Sequence, residues 1–110
     1  MQRFYVVVRD DLDPGAQFAQ GIHAASVFAH RYPTQHGAWQ AGDPVLVVLS
    51  IPSEDALGEL LRRATMQGVL ACGFNEEDMN GKLTAAAFDG SVSKLVASLP
   101  LALRAVRVAA

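Results

Sequence analysis

Within "PGAQFAQGIHAASVFAHRY", residues 14–32, Gln20, His23 and His30 fall on one stripe. An imidazole there can act as a general base, because the group titrates near neutral pH, and a carboxamide can orient a water or donate to an oxyanion. Positions 16, 20, 23, 27 and 30 follow the 4-3-4-3 spacing of one helix face, and they are Ala16, Gln20, His23, Val27 and His30. Polar groups on such a stripe are ordinary when it faces water, so it is either a solvated face or the lining of a site. Just before it, a strand-to-helix turn carries Arg9, Asp10, Asp11 and Asp13. Ligands in open α/β sheets usually bind where such a turn meets the sheet's carboxyl edge. The neighbouring stripe, Phe18, Ala19, Ile22, Ala25, Ser26 and Ala29, is the one expected to pack on the sheet.

Other chemistries lack their residues. His23 and His30 are two turns apart, too far for an i,i+4 metal pair, and no Cys or carboxylate completes a ligand set. "DPGAQFAQG" has neither the spacing nor the lysine of a phosphate loop, and no Ser sits in a nucleophile elbow. No metal and no cofactor are expected. The lone Cys72 reads as a small core residue inside a strand and suits a reducing cytoplasm.

The elements that must position these groups follow from patterning. The length of 110 residues suits one domain, 1–110, and 51% apolar with 18% charged residues marks a globular chain. No apolar run approaches a membrane span, and "MQRFYVVVRDD" does not read as a secretory signal. A net charge of −2 argues against broad, nonspecific nucleic-acid binding while leaving room for a local patch. "RFYVVVR" and "PVLVVLS" are β-branched runs of buried strands, and "VLACGF" and "LTAAAF" predict a third and a fourth.

Asp13-Pro14 starts a helix that runs to Tyr32 and stops at Pro33; "TQHGAWQAGD" then reads as a loop. Trp39 in that loop either caps the core or meets a ligand. Ser53 opens a second helix with Leu57, Leu60, Leu61 and Ala64 inside and Gly68 at its end. "NEEDMNGK" is a polar turn. Ser91 or Ser93 caps a third helix through Leu99, and "LALRAVRVAA" continues it or forms a short last strand. The order β-α-β-α-β-β-α predicts a mixed four-stranded sheet with one antiparallel pair and helices on both faces, an α/β/α sandwich.

"YVVVRDDL", "AQGIHAA", "VLVVLSIPSEDALGELLRRATMQGV" and "GKLTAAAF" together resemble the type 2 peptidyl-tRNA hydrolase family, over roughly residues 4 to 99. Members begin with a strand ending in an Arg and an Asp-Leu pair. They continue into a helix with a Lys-x-Ala-Ala-Gln-x-x-His-Ala pattern, and a later strand carries a Thr before an apolar run. The resemblance implies that family's mixed four-stranded sheet, hydrolysis of the ester between peptide and tRNA, and a homodimer.

By position it implies catalytic roles for His23, Gln20 and Asp11, with Asp11 orienting His23, and substrate contacts from Arg9 and Thr84. Two departures stand out. The motif lysine falls on Ala16, and the family's Asp-x-Gly-x-Thr loop is shortened to "NEEDMNG", where Asp78 or Glu77 would stand in for the acid. The alternative is a non-catalytic homodimeric binding module of the same fold. The apolar chain end from Leu101 to Ala110 either extends such a dimer interface or closes the domain's own core.

Overall fold

Strand pairing in the computed structural model, which describes residues 2–104, runs β2-β1-β4-β3. The strands are β1 (Gln2–Arg9), β2 (Pro44–Ile51), β3 (Ala71–Glu76) and β4 (Lys82–Asp89). β1 pairs in parallel with β2 and antiparallel with β4, and β4 pairs antiparallel with β3. The expected hairpin pair is therefore joined by a second antiparallel pair. β4 inserts between β3 and β1 instead of extending the sheet outward.

Among the described residues three α-helices accompany the sheet: α1 (Pro14–Arg31), α2 (Pro33–Ala41) and α3 (Glu54–Met66). The helix starts obey their capping residues. Asp13 accepts from the Ala16 N–H at 2.9 Å and Ser53 from the Ala56 N–H at 3.1 Å, satisfying amides that have no helical acceptor. Gly68 stands just past α3 at φ +80°, a backbone that favours glycine.

Two of the sequence expectations about helices are corrected. Residues 33–41 form α2, because Pro33 ends α1 yet pre-sets φ for the first position of a new helix. The segment 91–99 is no α-helix. A 3-10 turn over Gly90–Val92 is capped by Asp89, and i→i+3 bonds follow, Leu95 N–H to the Val92 carbonyl (2.8 Å) and Leu99 N–H to that of Val96 (3.0 Å). This tighter winding still buries Val92 and Val96. Beyond it Leu101 bridges to Leu49, favouring the strand-like reading there, while residues 105–110 lie outside the described residues.

Each sheet face has its own core. Tyr5, Val7, Leu49, Ile51, Ala86 and Phe88 pack against Leu57, Leu60 and Ala64 of α3. Phe4, Val6, Val8, Ala85 and Ala87 pack against Ala24 and Phe28 of α1. β1 is buried from Phe4 to Arg9 as its apolar run predicts, whereas β2 is an edge strand and only its last three residues are buried.

The packing face of α1 differs from the predicted stripe. Gln17, Gln20, Gly21, Ala24 and Phe28 are buried, while Phe18 is 64% and Ile22 57% exposed. Close approach sets this rotation: a Cβ added at Gly21 would lie 3.0 Å from Val8 Cγ1. A helix seated so near the strand needs its smallest residue inward, and the two glutamines turn in with it.

Candidate functional site

Thr84 is placed by a fault in the β3–β4 ladder. Phe74 pairs with Ala85 but Asn75 pairs with Leu83, so Thr84 is the extra residue of a bulge. Strict alternation would send Thr84 to the α3 face with Ala86 and Phe88. The bulge instead turns it toward α1, beside Ala85 and Ala87. Its hydroxyl lies 2.7 Å from Gln20 Oε1 and 3.2 Å from the Phe74 carbonyl. One proton serves one acceptor at a time, and the shorter contact takes it.

Gln20 is anchored at both ends of its amide, for its Nε2–H donates to Glu76 Oε2 at 3.1 Å. The carboxylate only accepts, which fixes the amide orientation: nitrogen toward Glu76, oxygen toward Thr84. Glu76 also accepts from the Asp78 N–H at 3.3 Å. The Gln20 bond, then the Asp78 amide and the nearby charge of His23, hold the Glu76 carboxyl below the usual carboxylate range. His23, three residues beyond Gln20, is exposed, and its imidazole stacks on Phe74 with centroids 4.5 Å apart and planes 6° apart. No hydrogen bond engages its ring nitrogens among the described residues.

Thr84→Val tests the buried end of this chain. Thr84 is fully buried, and valine keeps its shape while stripping Gln20 Oε1 of its donor. The expected loss is about 1–3 kcal/mol of unfolding free energy in urea titration, the cost of a buried polar atom left unpaired. Adding Gln20→Leu recovers part of it, since both partners are then gone.

Arg9 and Asp11 form a different unit. Odd residues of β1 face α3, so the Arg9 guanidinium leaves the sheet on the side away from Gln20. It donates from Nε to Asp11 Oδ1 (3.0 Å), from Nη2 to Asp11 Oδ2 (2.7 Å) and from Nη1 to the Leu83 carbonyl (3.0 Å). The Leu83 N–H is in turn held by Glu54 Oε2 at 2.8 Å. Arg9 and Glu54 thus grip the residue next to the bulge from the α3 side. This geometry gives Arg9 a positioning role, and it commits both Asp11 oxygens to Arg9 and neither to His23.

The same pairing predicts an acid-sensitive stability. The Arg9 guanidinium holds the Asp11 carboxyl below its usual range. A lowered folded-state pKa contributes stability that is present above the unfolded value, near pH 4, and lost as pH falls through the folded value. Asp11→Asn should cost about 1–2 kcal/mol at pH 7, the strength of a charged bidentate bond reduced because Asp11 is half in water. The gap from the wild type should narrow in urea titrations below about pH 4.

The sequence-predicted residues therefore divide. Gln20, His23 and Thr84 come together, Arg9 and Asp11 pair elsewhere, and His30 is exposed in the last turn of α1, where a basic group suits the helix dipole. Phe74 and Glu76 were missed. Their signal was the alternation Cys72–Phe74–Glu76, which puts all of them on the α1 face of β3. Glu77 and Asp78, the suggested replacement acids, lie in the 3-10 turn that follows.

Ala16 is half-buried one turn before Gln20 and supplies no charge. Cys72 is buried and its thiol is pushed up by burial, in keeping with a core residue. Among the described residues no group of three His, Cys, Asp or Glu side chains is placed to hold a metal, and no helix is long and apolar enough to cross a membrane.

No family model and no curated protein matches the chain. Its structure is similar to that of a solved protein of unknown function from Agrobacterium tumefaciens strain C58, with 16% identity and a TM-score of 0.70 over 91% of this chain and 96% of that one. At that identity the likeness shows a shared fold, a single α/β domain with a four-stranded mixed sheet and three helices.

Proposed function

We propose that this chain is a peptidyl-tRNA hydrolase-like protein that cleaves the ester between a peptide and the terminal ribose of tRNA. The observation that carries the reading is His23: an accessible imidazole stacked on Phe74, beside the ionised Glu76 and next to the anchored Gln20. In this reading His23 takes a proton from the water that attacks the ester carbonyl, and Glu76 stabilises the imidazolium that results. That proton returns to the departing ribose oxygen. The second amide hydrogen of Gln20 faces the developing oxyanion, while Thr84 and Glu76 hold the amide still. The type 2 hydrolase fold and a homodimer belong to the same proposal. Exposed Phe18 and Ile22, one turn apart on α1, are side chains such a dimer would cover.

A specific observation favours a second reading, a non-catalytic binding module of this fold. The motif lysine is Ala16, and Arg9, the cation nearest in sequence, is buried and committed to Asp11 and Leu83. No positive charge among these groups is aimed at an oxyanion or phosphate. The deciding measurement is release of labelled peptide from a model peptidyl-tRNA by the purified protein. Turnover supports the hydrolase. Its absence, at concentrations where an ordinary hydrolase saturates its substrate, leaves the binding module.

A further inference from the structure

The two edges of the sheet are finished differently. At the β2 edge the chain after β4 returns as a cover: the Ser50 N–H donates to the Pro100 carbonyl and the Ala102 N–H to the Val48 carbonyl, both at 2.9 Å. At the other edge β3, "ACGFNE", has no strand beyond it among the described residues. An open edge is a template for a further strand, and proteins blunt it with Lys, Pro or a covering segment. β3 contains no Lys and no Pro.

The ladder shows which backbone groups stand outward. The Leu70 carbonyl accepts from the Asp89 N–H (3.0 Å) and the Glu76 carbonyl from the Gly81 N–H (2.9 Å). The Thr84 hydroxyl lies against the Phe74 carbonyl from the β4 side. Even-numbered positions from 70 to 76 thus turn their backbone toward β4, and Ala71, Gly73 and Asn75 aim N–H and C=O outward. Among the described residues no group bonds to them there, and none of the three is buried.

Phe74, between Gly73 and Asn75, carries the exposed His23 ring, so the outward backbone groups and the imidazole share one stretch of strand. Charge along that stretch is uneven. Arg31, exposed in the last turn of α1, lies beside the Cys72 thiol near the start of β3 and has no ion pair among the described residues. Glu76, Glu77 and Asp78 follow one another at its end.

From this we infer that the β3 edge holds the peptide of the substrate as an added strand, antiparallel to β3. Its C-terminal ester lies beside His23, its preceding residues run along Asn75, and the nucleic acid leaves past Arg31. This rests on the hydrolase reading and names how the peptide of that substrate is held. Charge sets the direction, because a polyanion is drawn to Arg31 and repelled by the Glu76–Asp78 end. Main-chain bonds to Gly73 and Asn75 are the same for every peptide sequence, which suits a substrate whose side chains vary. An ester of a single amino acid has no peptide group to lay against Asn75 and is held less well.

The probe is N-acetyl-trialanine joined through an amide to 3′-amino-3′-deoxyadenosine, which has no ester to cleave. Titrated into ¹⁵N-labelled protein, it should give saturable shifts at the Gly73 and Asn75 amides and slow their hydrogen exchange. A probe with N-methylated alanines lacks the main-chain donors and should bind about tenfold more weakly. Valines in place of the alanines should change affinity by less than about threefold. Asn75→Pro removes one outward N–H at an edge position and should weaken binding about tenfold; where that variant fails to fold, the N-methyl comparison decides. No saturable shift at β3, or equal affinity for methylated and unmethylated probes, would overturn the proposal. Turnover of peptidyl-tRNA without shifts at β3 would overturn the docking and leave the hydrolase standing. Shifts at β3 without turnover would uphold the docking and remove the hydrolase.

Discussion

If the proposed hydrolysis holds, His23→Ala is expected to lower kcat/KM on a model peptidyl-tRNA by about 10²–10⁴-fold, the contribution of a positioned general base. The same change moves the unfolding free energy by less than about 1 kcal/mol, because His23 is exposed and loses one stacking partner, Phe74. The two readouts separate chemistry from folding. Stopped assays with labelled peptidyl-tRNA give the first, and urea titration gives the second. An unchanged rate would remove His23 from the mechanism even if the wild type turns over. A large loss of stability would mean that its ring supports the β3 edge of the sheet, contrary to its exposure. Gln20 cannot serve this purpose alone, because its bonds to Thr84 and Glu76 would mix structural effects with any effect on the proposed chemistry.

Phe28→Ala costs about 3–5 kcal/mol, as expected for a fully buried aromatic side chain. Phe28 packs edge-on to Phe4 with centroids 4.8 Å apart and lies 5.1 Å from Tyr32. It is the largest α1 side chain against the sheet, so its loss leaves a void where the helix docks. Against a total stability of roughly 5–15 kcal/mol for a domain of this kind, the effect is severe. Phe18→Ala is the companion measurement. It deletes the same side chain ten residues earlier on the same helix, at a 64% exposed position, and should cost less than about 1 kcal/mol. Equal costs would restore the stripe that the sequence suggested and refute the observed rotation of α1. Denaturant midpoints of the two variants, at matched slope, decide it.

That rotation marks how far the sequence could be read. The 4-3-4-3 spacing identified Gln20 and His23 as neighbours on α1, and they are. Helical periodicity says which residues share a face; the direction of the face depends on what the helix packs against. On composition, Phe18 and Ile22 made the more apolar stripe. Gly21 reversed the choice, because a close seat on Val6 and Val8 requires a missing Cβ, and that requirement exists only once β1 lies beneath the helix. The buried glutamines are tolerable because each found a partner: Gln17 donates to the Leu12 carbonyl at 2.7 Å, and Gln20 spans Thr84 and Glu76.

α2 was hidden for a related reason. "PTQHGAWQA" has no apolar stripe and no side-chain cap, and none of its residues is buried. A helix held mainly by two aromatic side chains leaves no periodic trace. The segment after β4 failed in the opposite direction. Its Val92 and Val96 spacing fits a helix, but its backbone winds in i→i+3 turns, which periodicity over so few residues cannot distinguish.

By itself the sequence determined the local events: Asp13 and Ser53 as caps, the four strands, the buried β1, a polar turn within "NEEDMNGK" and the kinship of Gln20 with His23 along one helix. These depend on side chains acting on their own backbone within a few residues. Only the tertiary structure decided who stands opposite. It turned Thr84 through a bulge to meet Gln20, brought Glu76 to Gln20 near His23, and seated Arg9, with Asp11 on it, against the Leu83 carbonyl on the other face of the sheet. Register and helix rotation are properties of pairs of elements, fixed by close packing and by the need to satisfy every buried polar group, and no single segment carries that information.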